Sequence, residues 1–433
     1  MCRTSTRDGG WLDFFRGLVL ALVLGSSMLA LASHAEASTQ SATQQVPSSF
    51  YGLNAQALFR LPAAEWDAQL TKLAATGVGT VRFDTGWAGV EPGPPSAGVH
   101  TYNWTRLDQI MAALARHNLQ GLPIVDYSTK WDSSDPSGAQ STTYPPTDPT
   151  PFAEFARALA TRYGPNGAFW TANPSLPAIP AYRYEIWNEE NSDYFFRGAD
   201  PTVYAPLYAD ARAAIHGVIP NATALVGGLV PSANAVGWLH SFVAALPEHG
   251  QEIDAIGWHP YYTTSGEVYA SLRALHAELS ADGLNPAIEL TEVNSPVAEG
   301  QGALLSELAR TLPRSDCHVT SMTVHTWTAL PEDGTTPFAI AESSGNLNAS
   351  GAAFSSAVQA AEMQGVSAPG PICAPNASPS VRVSSVSSSS RRKPSLRASS
   401  THLRFRHGQT LRLRRQRPRR VGLAALSSRR VGL

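Results

Sequence analysis

Cysteine is nearly absent: the 433 residues hold three, at Cys2, Cys317 and Cys373. So few exclude a disulfide-dense scaffold, and nothing beside them has the spacing of metal ligands. Nor does any stretch after residue 32 read as a membrane span. A Gly-rich phosphate loop is missing after the first predicted strand, Tyr51-Gly-Leu-Asn-Ala-Gln56, which argues against a dinucleotide-binding open sheet. No repeat recurs at the length of a solenoid unit. Residues 374–433 lack acidic side chains altogether, yet hold 15 of the 32 Lys+Arg, among Ser runs. The formal charge of −2 therefore hides an acidic domain joined to a basic tail that reads as disordered. Such a tail can contact an anionic surface. With one aromatic among its basic residues, Phe405, and no fold signature, it makes no stronger case for nucleic acid, and it is given no catalytic role.

The N-terminus is organised differently. Arg3, Arg7 and Arg16 precede a 16-residue apolar run from Gly17 to Ala32, and Ala35-Glu-Ala37 follows as a small-x-small site. The run is shorter than the ~20 residues of a spanning helix. Residues 1–37 are thus expected to be a cleaved secretory signal peptide, which makes the mature protein extracellular or associated with the cell envelope. Cys2 leaves with the leader, and Cys317 and Cys373 remain available for one disulfide. Residues 38–50 read as a short linker, 51–373 as the catalytic domain, and 374–433 as the Ser/Arg-rich tail.

Between residues 51 and 365 the chain alternates short β-branched or apolar runs with amphipathic, Ala-rich stretches. Strands are predicted at 51–56, 79–84, 121–126, 182–187, 224–229, 254–258, 286–291 and 319–326. Helices are predicted near 63–76, 104–117, 151–163, 201–217, 236–246, 267–280, 301–312 and 351–364. Phe152, Phe155, Ala156, Leu159 and Tyr163 show the helical period within one of them. Eight strand–helix units predict an α/β fold, a (β/α)8 TIM barrel. The Pro/Gly-rich, aromatic segments 87–103 and 127–150 then become loops at its catalytic mouth.

Two glutamates stand out in that frame. Glu189, in Tyr184-Glu-Ile-Trp-Asn-Glu189-Glu190-Asn191, follows strand four; Glu292, in Ile288-Glu-Leu-Thr-Glu292-Val-Asn294, follows strand seven. Carboxylates meeting across a barrel mouth are the equipment for cleaving a glycosidic bond, and their separation decides between retention and inversion. The neighbours suggest roles: Glu189 as proton donor and then base, Glu292 as nucleophile, and Arg82 keeping Glu292 anionic. Asn188 is placed to hold a sugar hydroxyl, and His259 and Tyr261 to orient the carboxylates. Glu185, Glu190 and Glu289 are the acids most easily mistaken for the pair. Trp87, Trp131, Trp187, Trp258 and Trp327 fall at or just beyond strand ends, where indoles can stack on sugar faces; a core position is the alternative for one or two of them, Trp187 or Trp258 first. Tyr194-Phe195-Phe196 is placed to wall the leaving-group side.

At these residues the chain resembles the large clan of retaining glycoside hydrolases on the (β/α)8 barrel that includes families 5, 10 and 39. Trp187-Asn188-Glu189 matches the clan's strand-four acid/base motif, and Thr291-Glu292 its strand-seven nucleophile. Arg82, His259, Tyr261 and Trp327 fit positions that support the nucleophile or line the subsite of the cleaved sugar. The resemblance implies hydrolysis of a β-O-glycosidic bond of a poly- or oligosaccharide with retention, with no metal or cofactor and no required protein partner. Two other readings use the same residues: a barrel that binds carbohydrate without cleaving it, and a transglycosylase. The sugar, the linkage and exo or endo action are not legible.

Overall fold

A computed structural model describes residues 43–374, apart from 139, 233 and 330–335. The leader and all but the first residue of the basic tail lie outside the described residues. Eight parallel strands close in sequence order, β1 (Tyr51–Asn54), β2 (Thr80–Asp84), β3 (Gln120–Val125), β4 (Arg183–Ile186), β5 (Thr223–Leu229), β6 (Ala255–Trp258), β7 (Ala287–Val293) and β8 (Val319–Val324). β1 pairs with β8 through Gly52 and Thr323, which completes a TIM barrel. The helices are α1 (Gln56–Arg60), α2 (Trp66–Ala74), α3 (Trp87–Val90), α4 (Thr105–Arg116), α5 (Pro149–Tyr163), α6 (Ala168–Ala172), α7 (Pro201–His216), α8 (Ala235–Ala245), α9 (Ser265–Ala281), α10 (Gln301–Thr311) and α11 (Ala349–Gln364). Among the described residues no helix is long and apolar enough to cross a membrane.

Local chemistry sets the helix starts. α5 and α7 each begin with Asp-Pro: Asp148 and Asp200 accept from the backbone N–H two residues on, at 2.9 and 2.8 Å, and proline occupies the first helical position, where its missing N–H costs nothing. α5 therefore starts two residues before the predicted boundary.

Strand parity explains both the outer core and the unusual interior. In β2, Val81 and Phe83 point outward and are buried under the helices, while Thr80 and Arg82 point inward. The inward set is largely polar. Arg183 reaches Glu289 at 3.0 Å and Thr80 at 2.9 Å, and Ser321 donates to Glu289 at 2.8 Å. Leu122, Leu225 and Ala255 form a small apolar cluster separate from the main core.

Residues 44–50, expected as linker, belong to the fold. Gln44 exchanges backbone hydrogen bonds with Val366, Val46 donates to Ala361, and Val46 and Phe50 are buried. Two apolar anchors in a short stretch were enough to dock it. At the other end, Cys317 and Cys373 form a disulfide with Cα atoms 5.0 Å apart. Asp316 accepts from the backbone N–H groups of Ile372, Cys373 and Ala374, each at 2.9 Å. The bond closes a loop with a sequence separation of 56 residues. Loop-closure entropy then predicts that Cys373→Ser lowers stability by about 4 kcal/mol, less whatever the Asp316 clasp retains; thermal melts with and without reductant check it.

Candidate active site

The inward and strand-end residues of β1, β2, β4, β6, β7 and β8 converge at the mouth. Glu292 lies at the centre. Arg82 Nη1 donates to its Oε1 at 2.6 Å and Asn54 Nδ2 to the same oxygen at 3.2 Å. The Tyr261 hydroxyl donates to Oε2, and His325 Nδ1 is 3.5 Å from that oxygen. Burial opposes ionisation of Glu292, but the charges and donors around it win and hold its carboxyl well below the usual range. Burial also pushes His325 below its ordinary value. His325, His259 and Arg82 together supply the charge that opposes burial at Glu292. Burial drives the Tyr261 phenol well up, with Glu292 adding to it, so Tyr261 stays a donor.

Arg82 is wholly buried, and its guanidinium serves three partners. Beyond Glu292 it grips Glu185 through Nε at 2.5 Å and Nη2 at 2.9 Å, and Asn188 Oδ1 through Nη2 at 2.7 Å. Glu185, expected only as an acid that could be mistaken for the pair, is the structural counter-ion of this arginine.

A hydrogen-bonded relay reaches the second glutamate. Thr291 donates its single hydroxyl proton to Glu185 Oε1 at 3.0 Å. His259 Nε2 is 3.0 Å from Thr291 Oγ1 and must therefore be the donor there. His259 Nδ1 lies 2.9 Å from Glu189 Oε1. With Nε2 protonated, a neutral His259 presents a bare Nδ1, which needs a proton from Glu189. One proton is thus held between Glu189 and His259. The ring has space because Gly228 carries no side chain: a Cβ there would lie 1.7 Å from Nε2.

An oxygen of each glutamate and a nitrogen of His259 lie within 4.8 Å of one another. The side chains of Glu189 and Glu292 are 14% and 10% exposed, reachable but mostly dry. The loop carrying Glu189 is strained: Trp187 and Glu189 have φ of 71° and 50°, left-handed conformations that cost roughly 1–3 kcal/mol each.

The structure corrects part of the aromatic reading. Trp87 is fully buried, stacked on Phe155 at 5.9 Å between barrel and α5, its indole donating to Glu91 at 2.9 Å. Trp327 is fully buried on the far side, donating to Gln69 of α2 at 2.9 Å. Neither can meet a sugar; both rings turned into the helix layer, where a large apolar surface is best removed from water. Trp187 and Trp258 are core as well. Trp131 remains half-buried beside Trp87, its indole donating to the Glu91 carbonyl at 3.1 Å. In the loop after Glu189, Tyr194 is exposed, edge-on to Phe195, whereas Phe196 is buried.

His325 occupies the place expected for Trp327. It sits beside Glu292 and packs edge-on against Tyr261 and Phe338, with centroids 6.0 and 5.8 Å away. The signal was available, since His325 continues the inward parity of Ser321 and Thr323. Asn54, at the end of β1, is a direct hydrogen-bond partner of Glu292. Asp84 accepts from Gln56 at 3.0 Å and is exposed at the mouth.

The fold is shared with known proteins. No family model matches the sequence. Among solved structures, a monomeric β-xylosidase from Caulobacter crescentus is 17% identical, with a TM-score of 0.54 over 73% of this chain and 69% of that one. A GH39 enzyme from Xanthomonas axonopodis pv. citri is 16% identical, with a TM-score of 0.55 over 73% and 67%. A glucosidase from Croceicoccus marinus is 14% identical, with a TM-score of 0.57 over 74% and 69%. At such identities the likeness is one of fold, and function must be argued from the site.

Proposed function

We propose that this protein is a retaining β-glycoside hydrolase acting on a poly- or oligosaccharide, with Glu189 as acid/base and Glu292 as nucleophile. The carrying observation is the meeting of two strand-end carboxyls, an oxygen of each within 4.8 Å of the other, in unequal surroundings. Glu292 is surrounded by donors and held anionic, while Glu189 shares a proton with His259. A gap this short suits attack by a carboxylate, since inversion needs about 6.5–9.5 Å to admit a water between the groups. Protonation of the leaving oxygen by Glu189 and attack by Glu292 on the anomeric carbon give a glycosyl-enzyme ester. Glu189 then takes a proton from the water that hydrolyses it. Asn188, fixed by Arg82, faces the sugar hydroxyl next to the anomeric centre.

The neighbours' descriptions as xylosidase, glucosidase and, for one from Opitutaceae bacterium, exo-β-1,4-mannosidase support a carbohydrate substrate. The disulfide and the leader-like N-terminus support action outside the cytoplasm. The test is the anomer first released from a panel of β-linked oligosaccharides and aryl β-glycosides, read by proton NMR before mutarotation. The expected product is the β anomer. Initial α product, or no turnover on any β-linked substrate, overturns the reading.

A further inference from the structure

Glu190 follows the acid/base directly, yet does not enter the cleft. It is fully buried, and neither carboxyl oxygen accepts a hydrogen bond of ordinary geometry; its own backbone N–H and the Tyr204 hydroxyl are the donors beside it. The carboxyl is wedged between the end of β4 and the middle of β5. A Cβ on Gly227 would fall 2.2 Å from Glu190 Oε2, and 2.9 Å from the carbonyl oxygens of both Ile186 and Trp187. Only glycine at 227 leaves room for it. The Tyr204 hydroxyl closes the other side, donating to the Ile186 carbonyl at 2.6 Å and accepting from Gly227 N–H at 3.1 Å.

We propose that Glu190 is a positioning residue that stays a neutral carboxylic acid, and that its O–H pins the left-handed turn on which Glu189 is presented. This rests on the assignment of Glu189 as acid/base. A carboxylate sealed from water without a strong donor is not sustainable, whereas a carboxylic acid brings its own donor to a place lined by backbone carbonyls. The groups facing it add to that preference. Glu185 from β4 and Glu189 from the same loop are acidic, and Tyr204 comes from α7. Burial first, with the charges of Glu185 and Glu189, outweighs the opposing pull of its own backbone N–H and the Tyr204 hydroxyl and pushes the Glu190 carboxyl well above the usual range. The neighbourhood also contains the strain: Trp187 and Glu189, on either side of Asn188, are the residues with positive φ. Such conformations persist only where the surroundings over-determine them, and Glu190 is the next side chain along.

Three measurements test this. Glu190→Gln keeps the shape and a donor without a charge, and is expected to hold kcat and KM within about 3-fold, with both limbs of the pH–rate profile unmoved. Glu190→Leu keeps volume but no donor. It is expected to lower kcat by about 10²-fold with KM nearly unchanged, the size of effect that follows when a reacting group is misplaced by about an ångström. Infrared difference spectra of wild type against Glu190→Gln should show the loss of one protonated-carboxyl band at pH 7. A profile displaced toward lower pH in Glu190→Gln means that a negative charge was removed, and overturns the proposal. So does a Glu190→Leu enzyme with wild-type kcat, or the absence of the infrared band. The band does not depend on turnover, so it still decides the protonation of Glu190 if the hydrolase assignment fails.

Discussion

Glu292→Ala is expected to lower kcat by at least about 10⁴-fold on any β-glycoside the wild type cleaves, because it removes the group proposed to form the covalent intermediate. The loss should be specific to chemistry. Arg82 keeps its contacts to Glu185 and Asn188 in that variant, so melting temperature should change far less than activity. Azide separates this from a general loss of function. A small anion fits the space vacated by the carboxylate and attacks from the same side, so an activated β-glycoside gives the α-glycosyl azide. In Glu189→Ala the intermediate still forms from a substrate with a good leaving group, and azide attacks it from the opposite face to give the β-glycosyl azide. Opposite anomers from the two variants assign both roles in one experiment. A Glu292→Ala enzyme with wild-type turnover removes the nucleophile assignment, and identical anomers remove the distinction between the roles.

Much of this was readable from the chain because a (β/α)8 barrel is written locally. Each strand is a short apolar run, each helix has its own period, and the Asp-Pro starts of α5 and α7 announce themselves. Strand ends were therefore located closely enough to bring Glu189, Glu292, Arg82, His259 and Tyr261 to one mouth. What escaped depended on direction rather than position. Trp87 and Trp327 lie near strand ends as expected, but beyond the regular strand the alternation of side chains no longer fixes direction, and both rings turned to the helix layer. His325 lies where parity still holds, two residues before the larger aromatic that draws the eye in the sequence. The fate of Glu185 and Glu190 was illegible for another reason. A buried acid declares itself through the partner it meets: Arg82, 103 residues away in sequence, for one, and a gap left by Gly227 for the other.

Arg82 is the place where the fold and the chemistry meet, and its removal tests both. Arg82→Met keeps the length of the side chain but strips the buried Glu185 and Glu292 of their shared cation. Breaking a buried ion pair from one side costs about 3–5 kcal/mol, most of it the penalty of the charge left behind. That should lower the melting temperature by roughly 10 °C. The cheapest relief is for the orphaned carboxyls to take up protons, which silences Glu292 as a nucleophile near pH 7. Activity is expected to fall by about 10³-fold or more, beyond what fewer folded molecules can explain. The second change Glu185→Gln discriminates the two effects. In Arg82→Met/Glu185→Gln one orphaned charge is gone, so stability should recover by at least about 1–2 kcal/mol. Turnover should not recover, because Glu292 still lacks its cation. Calorimetry and kcat measured on the same preparations give the result directly. If the double variant regains both, Arg82 serves only to neutralise Glu185, and the ionisation of Glu292 must rest on its other neighbours, His325, His259, Tyr261 and Asn54.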